Sequence, residues 1–97
     1  MNSRSDAKTY RCTFKRHVSM DGAQDCLTLA ICAAEGLHGR ARLRRDGSWH
    51  LDRQRRTCTI DASSPVGQDL AKLFTGFLSR EFGEGAFQVR RGGHGTT

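Results

Sequence analysis

The sequence predicts an α+β domain: an antiparallel β-meander sheet of about five strands plus a short C-terminal strand, with one amphipathic helix packed on one face. Three observations lead there. A one-sided apolar stripe at helical spacing runs through residues 64–82. Short segments before it alternate apolar and polar residues at period two. Turn chemistry separates those segments at Asp21–Gly22, Glu35–Gly36 and Asp46–Gly47. Periods of 3.6 and 2 are the signatures of a helix face and a strand face.

The first strand spans residues 10–18. Tyr10, Cys12, Phe14 and Val18 point inward, and Arg11, Thr13, Lys15 and His17 outward. Residues 26–34 are nearly continuous in apolar character. Their alanine-rich ends tolerate a helix of about three turns. The alternation of Leu27, Leu29 and Ile31 against Cys26, Thr28, Ala30 and Cys32 favours a central strand. Residues 37–44 alternate as a third strand, with Leu37, Gly39, Ala41 and Leu43 opposite His38, Arg40, Arg42 and Arg44. Asp46 and Gly47 give a hairpin signal. Residues 49–51 form the return strand, 52–56 a charged loop, and 57–60 another strand segment.

The helix follows. Val66, Leu70, Leu73, Phe74, Phe77, Leu78 and Phe82 make its stripe. Ser64 supplies a cap, Pro65 fits the first helical position, and Asp69 sits early, where the helix dipole favours a negative charge. Gly83 ends the helix, and Gly76 suggests a strand passing close by. Residues 86–90 form the last strand, which can lie parallel to a neighbour through a right-handed crossover. Residues 1–8 and 92–97 are expected to be disordered tails around a single domain at 9–91.

Two registers are open for Trp49. A two-residue turn pairs it with Arg44 and puts it on the basic face. A three-residue loop pairs it with Leu43 and puts it under the helix. The second keeps the large apolar groups together and is preferred.

Net charge is +6, and 13 of 16 cations are arginine. Such an excess favours acidic partners, although an arginine bias also arises from a GC-rich genome. No stretch approaches the roughly 20 apolar residues of a membrane span. The polar N-terminus has no signal-peptide core, and the expected location is cytoplasmic. Cys12, Cys26, Cys32 and Cys58 form no CxxC pair, and His17, His38, His50 and His94 are dispersed. No metal site and no cofactor are therefore expected, and the cysteines suit buried apolar positions.

The chemistry-bearing motifs are also lacking. There are no paired carboxylates at a useful spacing, no nucleophile elbow and no P-loop. Residues 63–67 could receive an anion at a helix N-terminus, but capping accounts for them. Cys12 and His17 fall on opposite faces of a strand and cannot act as thiol and base. The expectation is a non-catalytic module with no evident small-molecule substrate.

Its expected surface is the sheet face away from the helix. Seven arginines lie between Arg40 and Arg56 against Asp46 and Asp52, a local net of +5. The candidate binding residues are Arg11, Lys15, His38, Arg40, Arg42, Arg44, Arg53, Arg55 and Arg56. The favoured partner is an acidic protein or a second copy, met through this face or through a sheet edge. The alternative is sequence-nonspecific nucleic-acid binding through phosphates. It is weakened by the lack of a stacking aromatic on that face.

Overall fold

Phe74, Leu70, Leu78 and Val66 are all but inaccessible to solvent, and the rest of the chain packs around them. They belong to α3 (Pro65–Phe82) in the computed structural model, which describes residues 8–92. Preceding it are β1 (Thr9–Phe14), α1 (Met20–His38), α2 (Arg40–Asp46), β2 (Trp49–Asp52) and β3 (Thr57–Asp61). A single 3-10 turn at Glu84–Ala86 leads from α3 to β4 (Phe87–Gly92). The class is α+β, with a four-stranded antiparallel sheet in the order β2-β3-β1-β4. With the short α2 set aside, the chain runs βαββαβ. Each helical connection joins two strands that have a third strand between them, the split βαβ arrangement.

The ends of α3 follow local chemistry. The Ser64 hydroxyl accepts from the Gly67 amide at 3.1 Å, and Pro65 occupies the first turn. Gly83 closes the helix at φ 92°, its amide donating to the Ser79 carbonyl at 2.9 Å. Burying each large side chain of the stripe stabilises the fold by about 1.5–3 kcal/mol. Phe74 meets Phe14 of β1 edge to face, with ring centroids 6.2 Å apart. Gly67 lies so close to β3 that a Cβ there would stand 1.8 Å from the Asp61 carbonyl oxygen. The close approach expected at Gly76 does not occur; that position opens to solvent.

Residues 26–34 are helix, not strand, and belong to the 19-residue α1. Asp21 and Gly22 are no turn but the first turn of α1, where the Ser19 hydroxyl accepts from the Gly22 amide at 2.9 Å. Its buried face is Ala23, Cys26, Leu27, Ala30 and Ala34, a helical repeat made mostly of small residues. Leu29 and Leu37 point outward, 55% and 66% exposed. The large residues therefore carried the false period of two, while the small ones carried the true one.

Residues 37–44 are not a strand either. Gly39, at φ 87°, breaks the chain between α1 and α2, and the alternating arginines are good helix formers on the exposed side of α2. Asp46 and Gly47 form no hairpin: Gly47 caps α2, its amide donating to the Leu43 carbonyl at 2.8 Å. Leu43 and Arg44 thus have no strand register with Trp49, which pairs with Ile60. The sheet is not a meander. β4 pairs antiparallel with β1 and is parallel only to β3, which is not its neighbour. Of the residues assigned to the tails, Gly92 ends β4 and the Lys8 carbonyl accepts from Ala62, while 1–7 and 93–97 lie outside the described residues.

Among the described residues, no helix is long and apolar enough to cross a membrane.

Candidate functional site

The sheet has one covered and one open face, and the register decides what each carries. Tyr10, Cys12, Phe14, Trp49, Leu51, Cys58, Ile60, Phe87 and Val89 share the helix side. On the open side, His50, Thr59, Arg11 and Arg90 form a row across all four strands. Asp52, Thr57, Thr13 and Gln88 form the next row.

The expected basic platform is not assembled on this face. Of the candidates, only Arg11 lies on it. Lys15 follows β1, its amide donating to the Ala86 carbonyl. His38, at the end of α1, is mostly covered and hydrogen-bonds the Asp69 carboxylate at 2.8 Å. That bond, rather than the helix dipole, occupies Asp69. Arg40, Arg42 and Arg44 lie on α2, where Arg40 pairs with Glu35 at 2.9 Å and Arg42 approaches Asp46 at 4.0 Å.

Arg53, Arg55 and Arg56 lie at the opposite end of β2, in the β2–β3 turn. Arg53 contacts Asp21 at 2.5 Å and Gln24 at 2.7 Å. Arg55 approaches Asp52 at 3.9 Å. Arg56 turns inward at φ 55°, and its Nη2 donates to the carbonyls of Lys15 at 2.6 Å and Val18 at 2.5 Å. Its Nε is buried without a partner among the described residues. Arg56 is thus a tie between the β1–α1 loop and the β2–β3 turn. The dense arginine run is split between two ends of the molecule because β2 stands in its middle.

Two concavities flank β2. On the open face, a shallow cleft of about 420 Å³ is lined by Thr9, Ser48, His50, Thr59, Asp61 and Ser63, with Trp49 at its rim as well. Four hydroxyl side chains and one carboxylate share its walls with the Trp49 and His50 rings. On the other side, a groove of about 350 Å³ runs between β2 and α1. Leu27 and Ile31 form one wall and Trp49 and Leu51 the other, while Gln24, Thr28, His50 and Arg53 line it too, so its surface is mixed. The smaller groove adjoins the outer edge of β2, which pairs with no further strand among the described residues, and it gathers Leu27, Ile31, Trp49 and Leu51.

The ladder shows which backbone groups that edge offers. Asp61 donates to the Ser48 carbonyl at 2.9 Å, so the pair of positions 48 and 61 is hydrogen-bonded. Antiparallel pairs alternate, and the next pair, Trp49 with Ile60, is of the open kind. The N–H and C=O of Trp49 and Leu51 therefore face away from the sheet. Their side chains, together with Arg53, lie along the groove. The period-two series Trp49, Leu51, Arg53 was present in the sequence. Its other wall was not, because residues 26–34 suited a strand as well.

The thiols offer no reactive centre on the sheet. Cys12 and Cys58 are directly opposed and buried, and burial pushes each thiol up to about 12, with the neighbouring Cys12 adding to the rise at Cys58. Burial, then Glu81 and Asp25, raise Cys26 as well. Only Cys32 is exposed. Among the described residues, no three His, Cys, Asp or Glu side chains converge to hold a metal.

No family model, curated protein or solved structure matches this chain significantly.

Proposed function

We propose that this chain is a non-catalytic binding module that accepts an extended segment of another protein along the free edge of β2. One observation carries the reading: an edge strand with outward N–H and C=O groups at Trp49 and Leu51 lies beside a mixed groove that holds Leu27, Ile31, Trp49 and Leu51 among polar side chains. Main-chain pairing supplies affinity in such complexes, and a groove that takes alternate side chains supplies selectivity. A partner strand in register places every second side chain over Leu27, Ile31, Trp49 and Leu51. Trp49, 37% exposed, is the largest apolar group left for a partner to cover. A cytoplasmic location belongs to this proposal.

Amide-resolved NMR with a short β-forming peptide tests it. Perturbations centred on Trp49, Leu51, Leu27 and Ile31, and their loss in Ile31→Glu, are the expected result. Perturbations confined to the open face or to α2 refute the edge as the working surface.

A second reading, phosphate binding on the open face, rests on a different observation. Arg11 and Arg90 are directly opposed across β1 and β4. Like charges opposed on a sheet destabilise it, and a bound phosphate relieves that strain. The row carries no Phe, Tyr or Trp, and Trp49 reaches only the adjoining cleft, so it suits backbone contact more than base recognition. A gel shift at low salt, abolished in Arg11→Ser with Arg90→Ser, is the expected sign. Unchanged mobility at low salt removes this reading.

A further inference from the structure

The groove beside β2 ends in a cation, and this narrows the segment it takes. Arg53 follows Trp49 and Leu51 at period two and lines the same groove. Its present carboxylate partner, Asp21, has a side chain 89% exposed, and the Arg53 side chain is 48% exposed. Such a surface pair contributes little net stability. A carboxylate brought by a docked strand can share or replace it without leaving Asp21 buried.

We propose that the preferred partner is an extended segment of the form acidic–x–apolar–x–apolar, paired antiparallel with β2. This rests on the reading of the β2 edge as the working surface. In that register the two apolar residues face Leu51 and Trp49, whose outward N–H and C=O groups make these the hydrogen-bonded positions of the new ladder. The acidic residue, two positions earlier, passes the end of β2 and comes beside Arg53, which opens the turn and lines the same groove. The intervening residues lie on the open side, beside His50, and carry no constraint from the groove.

A second copy of this chain fits less well. If two β2 strands pair antiparallel with Trp49 opposite Leu51, the residue facing Arg53 is Gly47, and Arg53 gains no carboxylate. The net charge of +6 also sets two copies against each other and favours an acidic partner. The arrangement therefore points to a different protein.

The test uses the full chain and three fluorescently labelled, N-acetylated, C-amidated peptides, which carry no terminal charge. One contains Glu-Thr-Val-Thr-Val, the second replaces Glu by Lys, and the third replaces the central Thr-Val-Thr by Thr-Pro-Thr. Fluorescence anisotropy should show the Glu peptide binding about five- to tenfold more tightly than the Lys peptide. The Pro peptide should not bind. Arg53→Glu should invert the order of the first two, and Arg53→Gln should level it if Arg53→Glu does not fold. Equal binding of the Glu and Lys peptides, with Trp49 and Leu51 amides still protected, overturns the acidic requirement and leaves the edge reading standing. No binding by either overturns both. A dimer at micromolar concentration by light scattering, competing with the Glu peptide, overturns the choice of a foreign partner.

Discussion

Replacing Arg56 should loosen the fold rather than a binding surface. Its guanidinium holds two backbone carbonyls, at 2.6 Å from Lys15 and 2.5 Å from Val18. Charge-assisted hydrogen bonds contribute about 1.5–3 kcal/mol each, so the gross loss in Arg56→Ala is about 3–6 kcal/mol. Two corrections reduce it. The buried Nε has no partner, and removing it returns roughly 1–3 kcal/mol. The freed Lys15 carbonyl lies at an exposed residue, where water can reach it. A net destabilisation of about 2–3 kcal/mol follows, equivalent to roughly 10–20 °C in Tm for a domain of this length.

The backbone supplies an internal control. Arg56 has φ 55°, the left-handed region that a Cβ disfavours by about 1–2 kcal/mol. Arg56→Gly makes the same hydrogen-bond loss but removes that penalty, so it should be about 1 kcal/mol more stable than Arg56→Ala. Urea denaturation followed by circular dichroism measures both, with the slope m expected to stay constant. A change below about 0.5 kcal/mol in Arg56→Ala, the range of ordinary surface substitutions, refutes the tie. A glycine variant less stable than the alanine one refutes the backbone part.

Three further outcomes are expected. Gly67→Ala should destabilise the fold by more than about 2 kcal/mol, because its Cβ would stand 1.8 Å from the Asp61 carbonyl oxygen and α3 would have to lift from β3; thermal melting checks this, and an unchanged Tm contradicts the packing. Ellman's reagent at pH 8 should label one thiol quickly, Cys32, and leave Cys12, Cys26 and Cys58 unreacted until the protein unfolds; rapid labelling of more than one refutes the burial of these three. Stability should also fall as pH rises from about 9 toward 12. In that window the unfolded chain has released the protons of Cys12 and Cys58, whose ordinary value is 9.0, while the folded chain, with both pushed up to about 12, still holds them. The slope is up to about 1.4 kcal/mol per pH unit for each thiol, and it should flatten in Cys12→Ala with Cys58→Ala.

What the sequence revealed depended on how loudly each residue marked its face. α3 was legible to its ends, since Ser64, Pro65 and Gly83 bracket a stripe of large side chains. β1, β2, β3 and β4 were legible too, because Phe14, Trp49, Ile60 and Phe87 sit in clear alternation. α1 was not, because Ala23, Ala30 and Ala34 do its packing while Leu29 and Leu37 face solvent. That one misassignment changed the topology. It turned an αβ crossover into strands and moved His38, Arg40, Arg42 and Arg44 onto a sheet face they never reach. The role of Arg56 was not legible at all, since a left-handed arginine inside a charged turn carries no composition signal.

The two borders of the sheet are unequal. β4 carries Arg90 and Arg91 at consecutive positions, so a second β4 laid beside it antiparallel would crowd four guanidinium groups along one seam. β2 has no such guard. Fibril growth needs a donor and an acceptor border on every molecule, and among the described residues only β2 presents one without such a guard. On the proposed reading the valence is one: a single added strand satisfies it, and the stack ends there.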